Sequence, residues 1–559
     1  MKKRILLLLL TIIVLLAAYA NSHSQAPGTL IQTAVAPTHK ILLLPLDSRP
    51  PCRKFVVDAG KIGDTEIITP PAEILDYYTQ AGNTTSLQEW ISKNIPDCDA
   101  AIISIDQLLY GGLLAAREAD KTPVEMQSML DFLQQLHDAH PDIPLYAFNI
   151  LPRIQPPASI DGYEERRDLI KYSRLMDEFS SFDSSIDYQQ LRRLEKSLPN
   201  ESREKYLELF RRNTSLNERL IAMAQKGVLS RLIIGQDDSE DFGIPNMEKR
   251  QLRRYLEARN ISEEQVCITH GADEIALTLL SDIRCQQTGS APKIYLMYND
   301  DTTPSLIMPY MAVSTAATAA EKIQMLHARI VSSPEEADFI LFIFCGTEKN
   351  TGSRTTSVQH IKTFLAEGKK VALVDLSQHF TAEETLFPQL LQQEVPLHGL
   401  IAYAGWNTTS NAIGTALAQA ALFTTGLKEA TTQEESLSLY QSNLTFLDNR
   451  YMEDYYYLKD VISLIDIRLK KAGFHNVYDL DMEHNYRWAN VMLQQSMDKR
   501  LQTLKNTRAF RAPFPAHTSM GDIQLQVRDI ALQTSYPWPR TFEIYIQSTL
   551  WIYKDSCKT

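Results

Sequence analysis

The 559-residue sequence predicts an α/β fold built on parallel β/α repeats, and three observations carry that expectation. Apolar, β-prone runs recur through residues 41–411, amphipathic helical patterns separate them, and each run stops abruptly in polar or charged residues. The runs read ILLLPLDSRP (41–50), AIISIDQLLYGG (101–112), LYAFNILPR (145–153), LIIGQDDS (232–239), IYLMYNDD (294–301), VALVDLSQ (371–378) and LIAYAGWNTTSN (400–411). Runs of strand, helix and strand on this scale mean a parallel sheet, open or closed into a barrel. The carboxyl ends of such strands are where α/β proteins bind ligands.

In chain order, Lys2, Lys3 and Arg4 precede ILLLLLTIIVLLAA, and Ala18-Tyr19-Ala20 offers small residues for cleavage. Residues 1–25 therefore read as a Sec-type signal peptide, with an uncleaved anchor as the alternative. The absence of a Cys after the apolar run argues against lipoprotein processing. A secreted or periplasmic protein is expected, with no stable membrane span once the signal is removed. Residues 26–38 form a polar leader. The first strand follows, then a weaker one at EIIT (66–69).

Thr122 is placed to cap a helix that begins at Pro123 and repeats Met126, Met129, Leu130 and Leu133 on one face. This helix joins the strand at 101–105 to that at 145–150, a β/α/β crossover. Between about 160 and 228 the segments YEERRDLIKYSRLMDEF, LRRLEKSL and REKYLELFRR read as a solvated helical insertion. Strands follow at 232–236, 266–269 (VCIT), 294–298, 339–345 (FILFIFC), 371–376 and 399–404.

A barrel-like, TIM-type closure is the favoured arrangement for 39–428, because nearly every strong strand ends in a polar cluster. Two consecutive Rossmann-like domains meeting near residue 288, at QQTGSAPK, are the alternative. Residues 429–559 read as a mainly helical accessory or closing region, with SYPWPRTFEIYI as a loop and strand.

A net charge of −12 without a long basic stripe speaks against nucleic acid as a partner. Cys52, Cys98, Cys267, Cys285, Cys345 and Cys557 are scattered, with no CxxC pair and no zinc spacing. GxSxG, HExxH, P-loop and GxGxxG patterns give no convincing match, so no cofactor is called for.

Gln236-Asp237-Asp238-Ser239 is the strongest chemical constellation. Adjacent carboxylates at a strand end point to different sides of an extended chain, and crowding raises the proton affinity of one of them, as a general acid needs. Asp273-Glu274 in ITHGADEIALTLL is a second acidic pair that equally suits a helix N-terminus. Asp106 follows its strand directly, beside Tyr110 and a Gly111-Gly112 turn that lets backbone approach a ligand. Asp47 with Arg49, and Arg153, lie at strand ends where a guanidinium can grip a polar substrate or pair with a neighbouring carboxylate. Trp406, Asn407 and Asn411 join an aromatic face to neutral hydrogen-bonding groups, a combination that suits sugars. Asn299-Asp300-Asp301, Glu348 and Asp375 add oxygen donors, without calcium-loop spacing.

Taken in order, PLDSRP, ISIDQLLYGGLLAAR, ILPR, GQDDS, GADE, AYAGWNTTSNAIGTALA and PWPRTFE resemble the bacterial family catalogued as domain of unknown function 4127, from residue 40 to the end. The family's first motif often reads Asp-Glu-Arg-Pro, where this chain has Ser48 in place of the Glu. The resemblance implies that the clusters belong to one design and brings no activity with it.

The residues themselves favour an exported carbohydrate-active hydrolase. Asp237 and Asp238 would act as acid/base and stabilising groups, Asp106 or Asp273 as partner carboxylate, and Arg49, Arg153, Trp406 and Asn407 would position the substrate. A metal-dependent hydrolase of an amide or phosphate, with Asp47, Asp106, Asp237 and Asp300 as ligands, is the second reading. A non-catalytic solute- or polysaccharide-binding protein is the third.

Overall fold

The computed structural model describes residues 28–555, apart from 32, 34, 119, 120, 184, 290, 349 and 351. The expected signal peptide at 1–25 lies outside the described residues. Among those described, no helix is long and apolar enough to cross a membrane.

Two open parallel sheets and one antiparallel sheet organise the described residues. β1 (Gly28–Leu30) belongs to the antiparallel sheet. β2 (His39–Leu44), β3 (Thr65–Ile68), β4 (Ala100–Ser104), β5 (Leu145–Leu151), β6 (Arg231–Gln236) and β7 (Val266–His270) form the first parallel sheet, in the order β3-β2-β4-β5-β6-β7. β8 (Lys293–Tyr298), β9 (Arg329–Ile330), β10 (Phe339–Gly346), β11 (Val371–Ser377) and β12 (Ala402–Ala404) form the second, in the order β12-β11-β10-β8-β9.

The barrel expectation is corrected by these orders. In each sheet the second strand adds on one side of the first and the third strand on the other, so helices cover both faces and the outer strands remain edges. A barrel needs each new strand to add on the same side until the ring closes. The strands change sheet between β7 and β8, across the segment that contains QQTGSAPK.

Side-chain alternation shows how both faces of the first sheet are filled. Ile41, Leu43, Ile102, Phe148, Ile150 and Ile233 enter one hydrophobic cluster. Their neighbours Leu42, Leu44, Ala101, Ile103, Ala147, Leu151, Leu232 and Ile234 enter the other. Burying each Leu or Ile contributes about 1.5–3 kcal/mol, so strands of this kind are stable only when covered on both faces.

The helix Pro123–Ala139 follows its sequence pattern. Thr122 and Glu125 form a reciprocal capping box, and Met126, Met129, Leu130 and Leu133 are buried. The charged insertion forms the helices Tyr163–Phe182, Ser185–Ser197 and Asn200–Gln225. Leu169, Tyr172, Tyr206 and Phe210 give it a small core of its own.

The helix Thr409–Glu429 is buried on nearly every side, from Thr409 to Gly426. Its small residues permit close packing: a Cβ at Gly414 would lie 2.4 Å from Cγ of Glu274. Beyond residue 430, Gln433–Arg450 runs into a π-helical stretch at Tyr451–Val461 and on into Ile462–Lys471.

The C-terminal region is not only helical. β13 (Phe514–Thr518), β14 (Gly521–Ser535) and β15 (Tyr545–Asp555) form an antiparallel sheet that β1, from the polar leader, completes on the β15 edge.

Candidate functional site

A cleft of about 1410 Å³ gathers the loops that follow β2, β4, β5, β6 and β7 of the first sheet and β8, β11 and β12 of the second. Five of the seven polar strand ends contribute directly, through Asp47 and Arg49, Arg153, Asp237 to Ser239, Gln378, and Asn407 with Asn411. The other two contribute through the segments just beyond them, Leu113 to Arg117 and Ile307 to Met311.

The floor is a set of paired charges. Arg117 Nη2 donates to Asp237 Oδ2 at 2.5 Å, and Arg153 Nη1 donates to Asp238 Oδ2 at 3.3 Å. The two adjacent aspartates therefore face different arginines, as an extended strand end requires. Asp237 is the more enclosed, with 12% of its side chain exposed against 33% for Asp238.

Their proton affinities diverge. Burial alone would raise Asp237, but the Arg117 and Arg153 guanidiniums outweigh it and hold this carboxyl below its ordinary value. Asp238 is pushed up to about 6, by burial first and by the Asp237 charge second.

A second cluster stands beside this pair. Arg49 donates to Asp47 Oδ2 through Nε at 2.9 Å and Nη2 at 2.6 Å, and to Asp273 Oδ1 through Nη2 at 2.8 Å. The guanidinium lies 5.4 Å from the Trp538 ring centroid, and Trp538 Nε1 donates to Ser48 Oγ at 2.9 Å. Asp76 Oδ1 accepts from the Ser48 amide at 2.8 Å. Burial and the neighbouring Asp47 charge push Asp76 up to about 8. Asp273 is delivered by the turn after β7, where Gly271 takes φ of 101° and where a Cβ would lie 2.3 Å from the Glu274 carboxylate.

Eight of the sequence-derived candidates thus line one cleft: Asp47, Arg49, Arg153, Asp237, Asp238, Asp273, Asn407 and Asn411. Six do not line it, each for a packing reason. Asp106 is 1% exposed and accepts from the Ile150 amide at 3.0 Å; burial pushes it up to about 7. Glu274 is buried in an ion pair with Lys322. Gln236 is held between Asn246 at 2.8 Å and Lys249 at 2.6 Å. Tyr110 packs in a hydrophobic cluster. Asn299 ties its own loop together through Asp300, Thr303, Ser353 and the Cys345 amide.

Trp406 is not the expected wall. It is 1% exposed and packs edge-on against Phe55, with centroids 6.2 Å apart. Aromatic surface in the cleft comes instead from Tyr310, Phe380, Tyr478, Trp538 and Phe542.

Arg117, Arg174, Lys459, Trp538 and Arg540 also line the cleft and were not singled out from sequence. Arg117 ends the stretch GGLLAAR, and Trp538 and Arg540 stand in PWPRTFE, so recurring motif segments were their signal. Lys459, inside YMEDYYYLKDV, is brought in by the π-helical stretch, which no sequence period announces.

The four carboxylates of the metal reading are engaged separately. Asp47 pairs with Arg49, Asp106 with the Ile150 amide and Asp237 with Arg117, while Asp300 caps Thr302 and Thr303. Among the described residues, no group of three or more His, Cys, Asp or Glu is arranged to hold a metal ion.

The family profile described as "Protein of unknown function (DUF4127)" matches residues 41–547. No curated protein matches the chain.

Proposed function

The chain belongs to the DUF4127 family, and from its cleft we propose that it is a carbohydrate-active hydrolase that cleaves glycosidic bonds, with Asp238 as general acid. The observation that carries this reading is the split pair: Asp238, raised to about 6, beside Asp237, held below its ordinary value. One carboxyl can hold a proton near neutral pH while its neighbour stays ionised, the division of labour that glycoside cleavage requires.

The two carboxylates expected as partners of the pair are taken up by other contacts. Asp273 is engaged by Arg49, and Asp106 is 1% exposed. The pair therefore fits a mechanism in which a 2-acetamido group of the substrate supplies the nucleophile. Asp238 gives its proton to the leaving oxygen as the C1–O bond breaks. The acetamido oxygen forms a new bond to C1, with Asp237 orienting its N–H. Water then attacks C1 as the bond from C1 to the acetamido oxygen breaks, gives a proton back to Asp238 and frees the sugar with its acetamido group restored. Arg153 and Asn407 border the same floor and position the sugar hydroxyls. The expected export signal in Lys2 to Ala20 is part of this proposal and would bring the enzyme to extracellular glycans.

Aryl glycosides of 2-acetamido sugars, compared with their 2-hydroxy parents, test the reading. Hydrolysis is expected only for the acetamido series, and Asp238→Asn is expected to abolish it for leaving groups that need protonation. Equal hydrolysis of both series would remove the acetamido mechanism. Tight glycan binding without turnover would turn the assignment to the binding-protein reading, which a cleft between two α/β sheets also suits.

A further inference from the structure

At one edge of the cleft floor, a cavity of about 10 Å³, room for one water molecule, lies among the ends of β11 and β12, the first turn of the helix Thr409–Glu429 and the π-helical stretch. Met308, Pro309, Phe380, Asn407 and Lys459 border both this niche and the cleft.

Four polar side chains of the niche can donate hydrogen bonds. Ser377 Oγ, Trp406 Nε1 and Thr409 Oγ1 are buried and have no hydrogen-bond partner among the described residues. The Lys459 side chain is 6% exposed in its residue, and its ammonium stands 4.8 Å from the Phe380 centroid. Among the described residues no hydrogen bond or ion pair engages it; Asp454, Asp375 and Glu384 act on it only from a distance. Asp375 itself accepts from the Leu386 and Phe387 amides and from Tyr403, and Glu384 from His379. An indole N–H and an ammonium can only donate, and the two hydroxyls can each donate. The positive end of a 21-residue helix adds to them. Lys459 thus has an aromatic neighbour but no hydrogen-bond acceptor, and a ligand that supplied one would satisfy it.

We propose that this niche is the subsite for a carboxylate carried by the substrate, which makes the glycan an acidic one. The proposal rests on the glycan reading of the cleft and narrows it. A carboxylate can place one oxygen where a single water fits and leave its second oxygen toward the cleft. The carboxylate can come from a uronic acid or from a lactyl ether on an amino sugar. Asn407, shared by niche and cleft, would hold the sugar ring between the carboxylate and the Asp237-Asp238 floor.

Isothermal titration of the full-length protein tests this with D-glucuronate and N-acetylmuramate against their neutral parents, D-glucose and N-acetylglucosamine. At least one acid is expected to bind about tenfold or more tightly than its parent, the scale of one charge-assisted hydrogen bond. Preference for glucuronate identifies a uronate, and preference for N-acetylmuramate a lactyl ether. Lys459→Met is expected to erase the preference, and the smaller change Thr409→Val to reduce it, each with an unchanged circular-dichroism spectrum. The proposal is overturned if neither acid binds at millimolar concentration, if acids and parents bind equally, or if Lys459→Met keeps the preference; the niche then holds only a water. The two readings fail separately. Acid preference retained in an Asp238→Asn protein, with no hydrolysis of any glycan by the wild type, would sink the hydrolase and leave the subsite. Hydrolysis of neutral acetamido glycosides without acid preference would sink the subsite alone.

Discussion

Replacing Arg117 by Met removes the cation that keeps Asp237 ionised while preserving most of the side chain's volume. The guanidinium and carboxylate touch at 2.5 Å, and only 18% and 12% of the two side chains are exposed. Taking the charge centres as roughly 4 Å apart and an effective dielectric of about 20, their attraction is about 4 kcal/mol. Arg153 still acts on the carboxylate, so the expected destabilisation at neutral pH is about 3 kcal/mol, the low end for breaking a buried pair.

The sign of the pH dependence follows from the two folded states. In the wild type Asp237 lies below its ordinary value of 3.8, so its stabilisation is complete above that value and is lost as pH falls through the folded value. Without Arg117 the opposition to burial weakens and the proton affinity of folded Asp237 rises, so the variant's penalty is full at neutral pH and fades as the carboxyl protonates. Urea unfolding of both proteins near pH 7.5 and near pH 4 measures this. The stability difference should fall from about 3 kcal/mol to below about 1 kcal/mol. Adding Asp237→Asn should recover much of the neutral-pH loss. An equal difference at both pH values, or no recovery in the double variant, would refute the pairing as the source of the asymmetry.

Two further substitutions probe the scaffold and the cleft wall. Gly414→Ala puts a Cβ 2.4 Å from Cγ of Glu274, whose carboxylate pairs with buried Lys322; a loss of about 1–3 kcal/mol and a lower thermal midpoint are expected. An unchanged midpoint would show that the helix Thr409–Glu429 can move away from Glu274. For Asp76, raised to about 8, folding holds a proton that the unfolded chain releases between about pH 4 and pH 8, so stability falls as pH rises through that window. Asp76→Asn is expected to flatten this fall by up to about 1.4 kcal/mol per pH unit between pH 5.5 and 7.5, and parallel profiles would contradict the raised value.

Much of this was legible because parallel strands must be apolar on both faces, and runs such as ILLL and AIIS can be little else. The choice between barrel and open sheets was not legible. Strand neighbours are fixed by whether β4 docks beside β3 or on the free side of β2, and both arrangements bury the same residues. The C-terminal sheet left a signal that went unused: Ile523, Leu525 and Val527 alternate with polar residues. An irregularity between Val527 and Asp529 then shifts the phase to Ile530 and Leu532.

The site divides in the same way. Polarity at strand ends located Asp47, Arg49, Arg153, Asp237, Asp238 and Asp273, because those side chains leave the strand where the helices no longer cover it. Polarity could not show that Asp106 would turn inward to the Ile150 amide or that Glu274 would be spent on Lys322. Nor could it show that Trp406 would pack on Phe55 while Trp538, from the far end of the chain, stacked against Arg49. Such long-range partners carry no local period.

The pH dependence of kcat/KM on the best acetamido glycan, for wild type and Asp238→Asn, tests the central claim most directly. With Asp238 raised to about 6, the wild-type rate should fall as pH rises above about 6, and the variant should lose about 100-fold or more together with that basic limb. A variant that keeps both its rate and the same limb would show that another group supplies the proton, and the assignment of Asp238 would be wrong.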